Sequence, residues 1–217
     1  MISIFLQPLK QKLTIAPMQE ARKQPTTKLA ALSRVIRRLS AQAIPRLEEQ
    51  FGFVLEQLCE AAQAPWGCVH LADDEHRVLV MVAKLGMPGP WGRLWSRIPI
   101  DSYLPPALAY KRAEVVALAG EAAPQGLEAV ECAPVLGARV AIGTLGVLWP
   151  EGEPPADDPE RAELLIAMGE LVGMAIEQAG LVAELSRRLE EVSRLNRRLE
   201  ELSITDGLTG LYNRRYL

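Results

Sequence analysis

The sequence contains few of the residues that build metal sites and disulfide frameworks. Its 217 residues include three cysteines and two histidines. Cys59, Cys68 and Cys132 are odd in number and widely spaced, which excludes a disulfide framework and the paired Cys-x-x-Cys spacing of a zinc site. We therefore expect three reduced thiols and no structural metal.

Long apolar runs are also missing. No segment approaches the roughly 18 consecutive apolar residues of a membrane-spanning helix. The apolar start, residues 1–6, is followed by Gln7 and Pro8 before it could serve as the apolar part of a signal peptide. These absences predict a cytoplasmic protein without a membrane span.

Acidic residues are nearly absent from the first part of the chain. Residues 1–46 carry nine basic residues and one acidic residue, whereas residues 47–180 carry eight basic and twenty acidic residues. A basic arm can bind nucleic acid or an anionic membrane surface. Aromatic residues are not interleaved with these charges, and Pro8, Pro17 and Pro25 interrupt them. We therefore expect a solvated leader and no nucleic-acid partner.

Hydrophobic periodicity predicts helices first and hairpins afterwards. Apolar residues at helical spacing run from Lys28 to Leu58, as one helix broken at Pro45 or as two helices. Two β-rich runs then flank a polar turn at 73–76 and predict a hairpin. The runs 130–136 and 140–149 predict a second hairpin.

The region between the two hairpins is rich in glycine, proline and tryptophan. Residues 86–97 predict an irregular loop, because Gly and Pro interrupt regular structure. Short strands are predicted at 98–100 and 114–118, and a short helix at 104–112. Helices, an antiparallel sheet and these connections together predict an α/β fold of the α+β type.

Proline is absent again between about residues 160 and 203, which allows one helix of roughly 45 residues. Its first part is apolar on a broad face that is suited to pack on a sheet. Its second part narrows to a seam that advances in steps of three and four, the rhythm of a coiled coil. We expect this seam to pair two copies of the chain. Its residues are Val182, Leu185, Leu189, Val192, Asn196 and Leu199.

A second leucine pattern competes with this seam. Leu195, Leu199 and Leu202 shift the register by one residue. Asn196, at an a position, favours a two-stranded parallel coiled coil. The overlapping patterns predict two accessible registers.

The order of the predicted elements from about residue 30 to residue 180 resembles the GAF domain, a small-molecule sensor fold with a central antiparallel sheet. The local match is Ala-Pro-Val-Leu at 133–136 and Ile-Gly-Thr-Leu-Gly-Val-Leu at 142–148, which looks like the family's last two strands. The resemblance implies a GAF-like sheet flanked by helices. We expect two copies of the chain to form a homodimer through their N-terminal helices as well as through the coiled coil.

The last residues carry a more specific motif. Residues 203–215 read Ser-Ile-Thr-Asp-Gly-Leu-Thr-Gly-Leu-Tyr-Asn-Arg-Arg, which is similar to the opening of GGDEF domains, the diguanylate cyclases. In that family the metal-binding acids, the guanine contacts and the catalytic loop follow this motif, and the sequence stops at Leu217. The matching positions are Asp206, Leu208, Thr209, Gly210, Leu211, Asn213, Arg214 and Arg215.

Together, the two resemblances imply the sensor and signalling helix of a cyclase. The parent protein would use Mg and join two GTP molecules into cyclic di-GMP, and this chain would be a fragment without catalytic residues or a cofactor of its own. The implied segments are a basic leader at 1–28, a GAF-like domain at 29–180, a coiled-coil helix at 181–203 and the start of a GGDEF domain at 204–217.

The residues disfavour several ligands of such a domain without naming one. No Gly-x-x-x-x-Gly-Lys loop occurs. The signature of cyclic-nucleotide-binding GAF domains is missing because no Asn precedes Asn196, and no cysteine is followed by the His that usually accompanies bilin attachment. Side chains that would line or plug a small-molecule pocket are Cys68, His70, Met87, Trp91, Trp95 and Tyr103.

Cys68 and His70 lie two residues apart on a predicted strand, which places both side chains on one face. Such a pair could hold a haem or a metal ion. The favoured interpretation is a small apolar filler beside a hydrogen-bonded core histidine.

Three functions remain open from the sequence. The first is a regulatory sensor of a diguanylate cyclase, in which a signal biases the two coiled-coil registers. The second is a ligand-free dimerisation spacer. The third is a free methionine sulfoxide reductase, an activity of some GAF proteins. That chemistry requires a low-pKa thiol beside a positive charge, and no cysteine here has a basic sequence neighbour.

Overall fold

The computed structural model describes residues 28–39, 47–138, 140–153, 155 and 158–204. Helices flank a run of strands, as the sequence predicts. In chain order the elements are α1 (Lys28–Leu39), α2 (Leu47–Ala62), β1 (Trp66–Asp73), β2 (Val78–Leu85), α3 (Gly89–Leu94), β3 (Arg97–Pro99), α4 (Pro105–Arg112), β4 (Val116–Ala119), a 3₁₀ turn (Gly120–Ala122), β5 (Leu127–Leu136), β6 (Ala141–Pro150) and α5 (Arg161–Ile204).

Three features of the sequence lie outside the described residues. They are the basic leader up to residue 27, the break at Pro45 and the cyclase-like motif at 206–215. The chain divides into two compact units, Met1–Glu177 and Gln178–Leu217, and each is described on its own.

Six strands form one antiparallel sheet in the order β3-β2-β1-β6-β5-β4. The hairpins β1–β2 and β5–β6 are the two that the sequence predicts, and β1 pairs with β6 to join them. In this central pair, His70 lies opposite Thr144, and Cys68 lies opposite Gly146. Directly opposite residues point to the same side of a sheet, so these four positions share one face.

The other face of the sheet packs against α1, α2 and the first part of α5. Alternate strand residues supply its apolar layer, as Val69 and Leu71 do in β1. Phe51 of α2 and Leu165 and Met168 of α5 are among its fully buried side chains. Complete burial of one such side chain stabilises the fold by about 1.5 to 3 kcal/mol.

Two glycines allow α5 to lie directly on the end of β5. A Cβ atom at Gly173 would overlap the carbonyl oxygen of Leu136, and one at Gly169 would overlap that of Pro134. Backbone carbonyl groups within a strand cannot turn aside as a flexible side chain can. Both positions therefore require glycine for this close approach.

A buried ion pair fixes Arg161, the first residue of α5. Its Nε donates to the two carboxylate oxygens of Glu131 at 3.0 and 2.9 Å, and its Nη2 donates to Oε1 at 2.7 Å. The two side chains are 8% and 12% exposed. The guanidinium carbon also lies 4.9 Å from the ring centre of Trp149. Because a helix begins with partial positive charge, the carboxylate offsets both this charge and that of Arg161.

By length and composition alone, Arg161–Glu200 is long and apolar enough to cross a membrane. In the structure, Leu164, Leu165, Met168 and Val172 of this helix belong to the core beneath the sheet. This is the environment of a core helix.

The prediction of an irregular loop at 86–97 was wrong in one respect, because this segment contains the helix α3. Pro90 lies in the first turn of this helix, where a missing N–H loses no intrahelical hydrogen bond. The amide of Gly92 donates to the carbonyl of Pro88 at 2.9 Å. A proline that ordinarily interrupts a helix is therefore accommodated at its start.

Two strands begin two residues or more away from the predicted positions. The strand predicted at 114–118 is β4, which begins at Val116, and the strand predicted from Val130 begins at Leu127. Strand ends depend on the pairing partner, which the sequence pattern does not display.

Candidate functional site

The sheet face opposite α1, α2 and α5 carries a second apolar core, here called the distal cluster. The segment from Met87 to Ala123, which includes α3 and α4, supplies much of it. Its buried members are Cys68, Ala72, Leu79, Met87, Trp95, Ile98, Ala107, Ala109, Val116, Leu127, Val130, Cys132 and Leu148.

Three tryptophans form a continuous chain of contacts along the distal cluster. The ring centres of Trp66 and Trp91 are 5.9 Å apart and those of Trp91 and Trp95 are 6.4 Å apart, both within the range of favourable aromatic pairs. Trp91 also lies against Gly126, where φ is +85° and a Cβ atom would come within 2.8 Å of the ring. The tryptophans thus join α3 to the loop before β5.

His70 is a titratable side chain of this face, and it is completely buried. Its Nε2 lies 2.9 Å from the carbonyl oxygen of Trp95. Because a carbonyl only accepts, the ring proton is on Nε2, and Nδ1 carries a lone pair. Burial lowers the pKa of His70 to about 4, although the hydrogen bond to Trp95 opposes part of this effect. The imidazole is therefore neutral at physiological pH.

Thr144 lies directly opposite His70 on β6 and is 1% exposed. Within the described part of the chain, neither Thr144 Oγ1 nor His70 Nδ1 has a hydrogen-bond partner. A buried polar atom without a partner is unfavourable and therefore uncommon. Two such atoms on opposite residues mark a buried polar point of this face.

The three thiols are all buried and free. Burial raises the pKa of Cys68 to about 12, and it also raises those of Cys59 and Cys132 far above the ordinary value. The thiolate is the nucleophilic form of cysteine. These cysteines therefore behave as apolar core residues, and thiol chemistry is disfavoured.

The structure brings together most of the residues that the sequence nominates for a pocket. Cys68, His70, Met87 and Trp95 are buried on the distal face, and Trp91 is half-buried beside them. Tyr103 differs, because it is 87% exposed and its ring lies 5.7 Å from Lys111 Nζ. It lies outside the distal cluster, since the turn before α4 directs it to solvent.

A pocket of about 460 Å³ opens elsewhere, at the C-terminal end of α2. It is mostly apolar, and Glu60 and Glu153 are the acidic side chains at its border. Its remaining lining residues are Cys59, Gln63, Ala64, Pro65, Leu85 and Gly86. None of them is among the pocket candidates that the sequence suggests.

The turn between β1 and β2 gathers the possible metal ligands Asp73, Glu75 and His76, whose donor atoms lie within 4.8 Å of one another. His76 Nδ1 is 3.0 Å from both carboxylate oxygens of Asp73, and its backbone N–H also donates to that carboxylate. Glu75 and His76 are exposed. These contacts are those of a hydrogen-bonded turn, so we assign no metal here.

The second compact unit is the C-terminal part of α5. Its seam residues are well exposed in the single chain: Val182 is 39%, Leu185 59%, Leu189 59%, Val192 53% and Leu199 64% exposed. Asn196 is exposed too. On the polar side, hydrogen bonds from Arg187 and Arg188 lower the pKa of Glu184 to about 2.

Sequence reasoning missed three functional or structural side chains: Thr144, Glu131 and Arg161. Thr144 is the one polar side chain in the apolar run 142–148, which was a usable signal. Glu131 and Arg161 are 30 residues apart, and nothing in the sequence pairs them.

No family profile matches the sequence, and no curated protein matches it. Solved structures do match its fold. The GAF domain of an Acinetobacter phosphoenolpyruvate-protein phosphotransferase is 18% identical with a TM-score of 0.59, covering 72% of this chain and 97% of that one. The corresponding domain from Coxiella burnetii is 20% identical with a TM-score of 0.61, covering 75% and 99%.

A further structural neighbour is the free methionine-R-sulfoxide reductase of Neisseria meningitidis in complex with its substrate. It is 16% identical with a TM-score of 0.60, and the match covers 77% of this chain and 98% of that chain. At these identities the likeness is one of fold. The predicted α+β class with a central antiparallel GAF-like sheet is confirmed.

Proposed function

We propose that this chain, which has the GAF fold, is a regulatory sensor module that dimerises through its C-terminal helix and passes a signal to a diguanylate cyclase domain. The observation that carries the proposal is the exposed apolar seam from Val182 to Leu199. A helix that exposes apolar residues every three or four positions gains stability when it pairs with another helix.

A second copy of the chain is the partner that fits this seam. In a parallel pair, each seam residue meets its own counterpart, and Asn196 then hydrogen-bonds across the axis and fixes the alignment. The seam spans less than three heptads, so the pairing is of moderate stability. Moderate stability allows a signal to change the register.

The cyclase-like motif at 206–215 supports a diguanylate cyclase as the domain that receives the signal. A cyclase that joins two GTP molecules must bring two domains together, and the register of the helices would set their relative placement. The competing pattern at Leu195, Leu199 and Leu202 supplies the second register. Mg and GTP would be bound by the downstream domain.

Sedimentation of the chain tests the dimer. We expect Val192→Asp and Leu189→Asp to weaken association at least about 100-fold, because each places an unpaired charge in the seam. The matched control is Ala183→Asp, which adds the same charge at an exposed position outside the seam. Association that is equally strong in all three variants would contradict the proposal.

The output is tested in a chimaera in which the chain is joined, at residues 206–215, to a diguanylate cyclase domain of known activity. Cyclic di-GMP formation is the readout. We expect Val192→Asp to reduce it strongly and Ala183→Asp to leave it unchanged. Full synthesis by the seam variants would show that this helix does not control the cyclase.

A ligand-free dimerisation spacer is the second candidate. The close burial of Trp95 and Ile98, at 1% and 0% exposed, favours it, because the protein's own side chains fill the distal face. The methionine sulfoxide reductase alternative has less support, since all three thiols have raised pKa values.

A further inference from the structure

The pocket at the C-terminal end of α2 lies outside the distal cluster, with which it shares no lining residue. Three segments meet there: the last turn of α2 with the residues that follow it, the end of β2, and the turn after β6. The volume of about 460 Å³ is within the range of about 300 to 1,000 Å³ that is typical of small-molecule sites. Because the pocket is open at the surface, a ligand enters it without displacing a core side chain.

Backbone contacts fix the two walls of this pocket. At the end of α2, the amide of Ala64 donates to the carbonyl of Cys59 at 2.9 Å, and Gln63 has a φ of +54°, which is the geometry of a Schellman cap. Gly86, with a φ of +68°, packs on the segment after α2, where a Cβ atom would overlap the carbonyl oxygen of Pro65. The end of α2 and the end of β2 are thus held together, and the pocket exists before a ligand arrives.

The charged side chains that line the pocket are acidic. They are Glu60 and Glu153, and neither lysine nor arginine is found among its lining residues in the described chain. The side chain of Glu60 is 21% exposed, and its Oε2 lies 4.0 Å from Arg34 Nη2, which is too far for a hydrogen bond. Glu153 forms no ion pair with any residue that the structure describes. The C-terminal end of a helix adds partial negative charge, so the pocket attracts a cation and repels an anion.

The uncharged part of the lining favours an organic cation over a metal ion. Calcium and magnesium ions take about six or more oxygen ligands. Besides the two carboxylates, the side chains of the pocket offer only the amide of Gln63, and most of the remaining surface is apolar. An ammonium group has three N–H donors for these oxygen-bearing side chains. An alkyl body attached to it removes the apolar surface from water.

We infer that this pocket is a binding site for a small organic amine, whose ammonium group binds Glu60 and Glu153 and whose apolar body lies in the cleft between α2 and β2. Burial raises the pKa of Cys59, so its thiol is neutral and forms part of the apolar surface. The inference goes beyond the proposed function, because the exposed seam of α5 contributes no residue to the pocket.

Pentylamine is a suitable probe, because it is a cation at neutral pH and carries a short alkyl body. We expect calorimetry to show millimolar or tighter binding of pentylamine, and at least about tenfold weaker binding of pentanoate and pentanol, which have the same length. Each methylene group added between propylamine and pentylamine should strengthen binding about fourfold, because it is buried against the apolar lining.

Three charge variants locate the site. Glu153→Gln removes the charge from an exposed position and should weaken pentylamine binding about threefold. Glu60→Gln should weaken it about tenfold, because this carboxylate is more buried and water screens it less. The matched control is Glu151→Gln, which removes the same charge two residues from Glu153 at an exposed position that does not line the pocket. We expect the control to bind pentylamine like the wild type, and circular dichroism checks that each variant is folded.

Absence of pentylamine binding at millimolar concentration would overturn the inference, as would equal binding of pentylamine and pentanoate. Binding that neither Glu60→Gln nor Glu153→Gln weakens would place the amine elsewhere. If Glu151→Gln weakened binding as much as these two variants, the result would reflect the general attraction of a cation to an acidic surface. Either outcome would refute the site at the end of α2.

Discussion

Substitution of Glu131 by Gln should destabilise the GAF-fold unit severely. The carboxylate accepts three hydrogen bonds from Arg161, at 2.7 to 3.0 Å. Gln keeps the shape of the side chain but removes its charge. The guanidinium would then remain buried at the positive end of α5 without the negative charge of Glu131.

The magnitude follows from burial. Removing one partner of a buried ion pair costs about 3 to 5 kcal/mol, whereas an exposed pair contributes about 0 to 1 kcal/mol. Arg161 and Glu131 are 8% and 12% exposed, so the pair is close to the buried limit. The contact of Arg161 with Trp149 remains in the variant and reduces the loss. We therefore expect about 3 kcal/mol for Glu131→Gln.

Urea unfolding followed by far-UV circular dichroism measures the free energy of unfolding. The matched control is Asp101→Asn, which removes the carboxylate from an ion pair with Arg77 at 3.0 Å whose side chains are 70% and 72% exposed. We expect the control to lose less than about 1 kcal/mol. Replacing Glu131 and Arg161 together by Met should recover most of the stability lost in Glu131→Gln, because neither charge of the pair then has to be buried.

A loss for Glu131→Gln no larger than that for Asp101→Asn would refute this reasoning. It would mean that water reaches the guanidinium of Arg161 and that the N-terminus of α5 is not fixed to β5.

Two further predictions concern the close approach of α5 and the buried imidazole. Gly173→Ala should destabilise the fold by about 2 to 3 kcal/mol in urea unfolding, because the new methyl overlaps the Leu136 carbonyl. In the control Gly89→Ala, the atom nearest to the new methyl is 3.6 Å away, so the free energy of unfolding should change little. An unchanged free energy of unfolding for Gly173→Ala would show that α5 lies farther from the end of β5. His70 has a folded pKa of about 4, below its unfolded value of about 6.5, so the unfolded chain binds the additional proton and stability falls as pH is lowered through this range. Relative to His70→Gln, the wild type should lose about 3 kcal/mol between pH 6.5 and 4, and a flat difference across that range would contradict a buried neutral imidazole.

Much of the fold could be predicted from short-range pattern. The helices α1, α2 and α5 and both hairpins follow from apolar spacing and turn residues, because each is defined by neighbours in the sequence. The helix α3 could not, since its glycine and proline content is more typical of a loop and packing of Trp91 stabilises it. The resemblance to GAF domains predicts that Tyr103 borders a pocket with the other aromatic residues, whereas the structure places it in solvent.

The candidate site was predicted in part. Cys68 and His70 share a face because a strand alternates its side chains, and this much follows from their spacing. That His70 meets Thr144 depends on the register between β1 and β6, which are far apart in the sequence. The partner of a strand residue is a property of the whole sheet.

By itself, the sequence determined the elements and the composition of their faces, because periodicity and turn chemistry act over a few residues. It also provided the heptad spacing on which the proposed dimer rests. Only the tertiary structure decided which charges and polar atoms are buried together. Three features arise where distant segments pack: the pairing of Arg161 with Glu131, the placement of His70 opposite Thr144, and the glycine contacts of α5. Burial then sets their energetics, since water no longer competes for the hydrogen bonds or screens the charges.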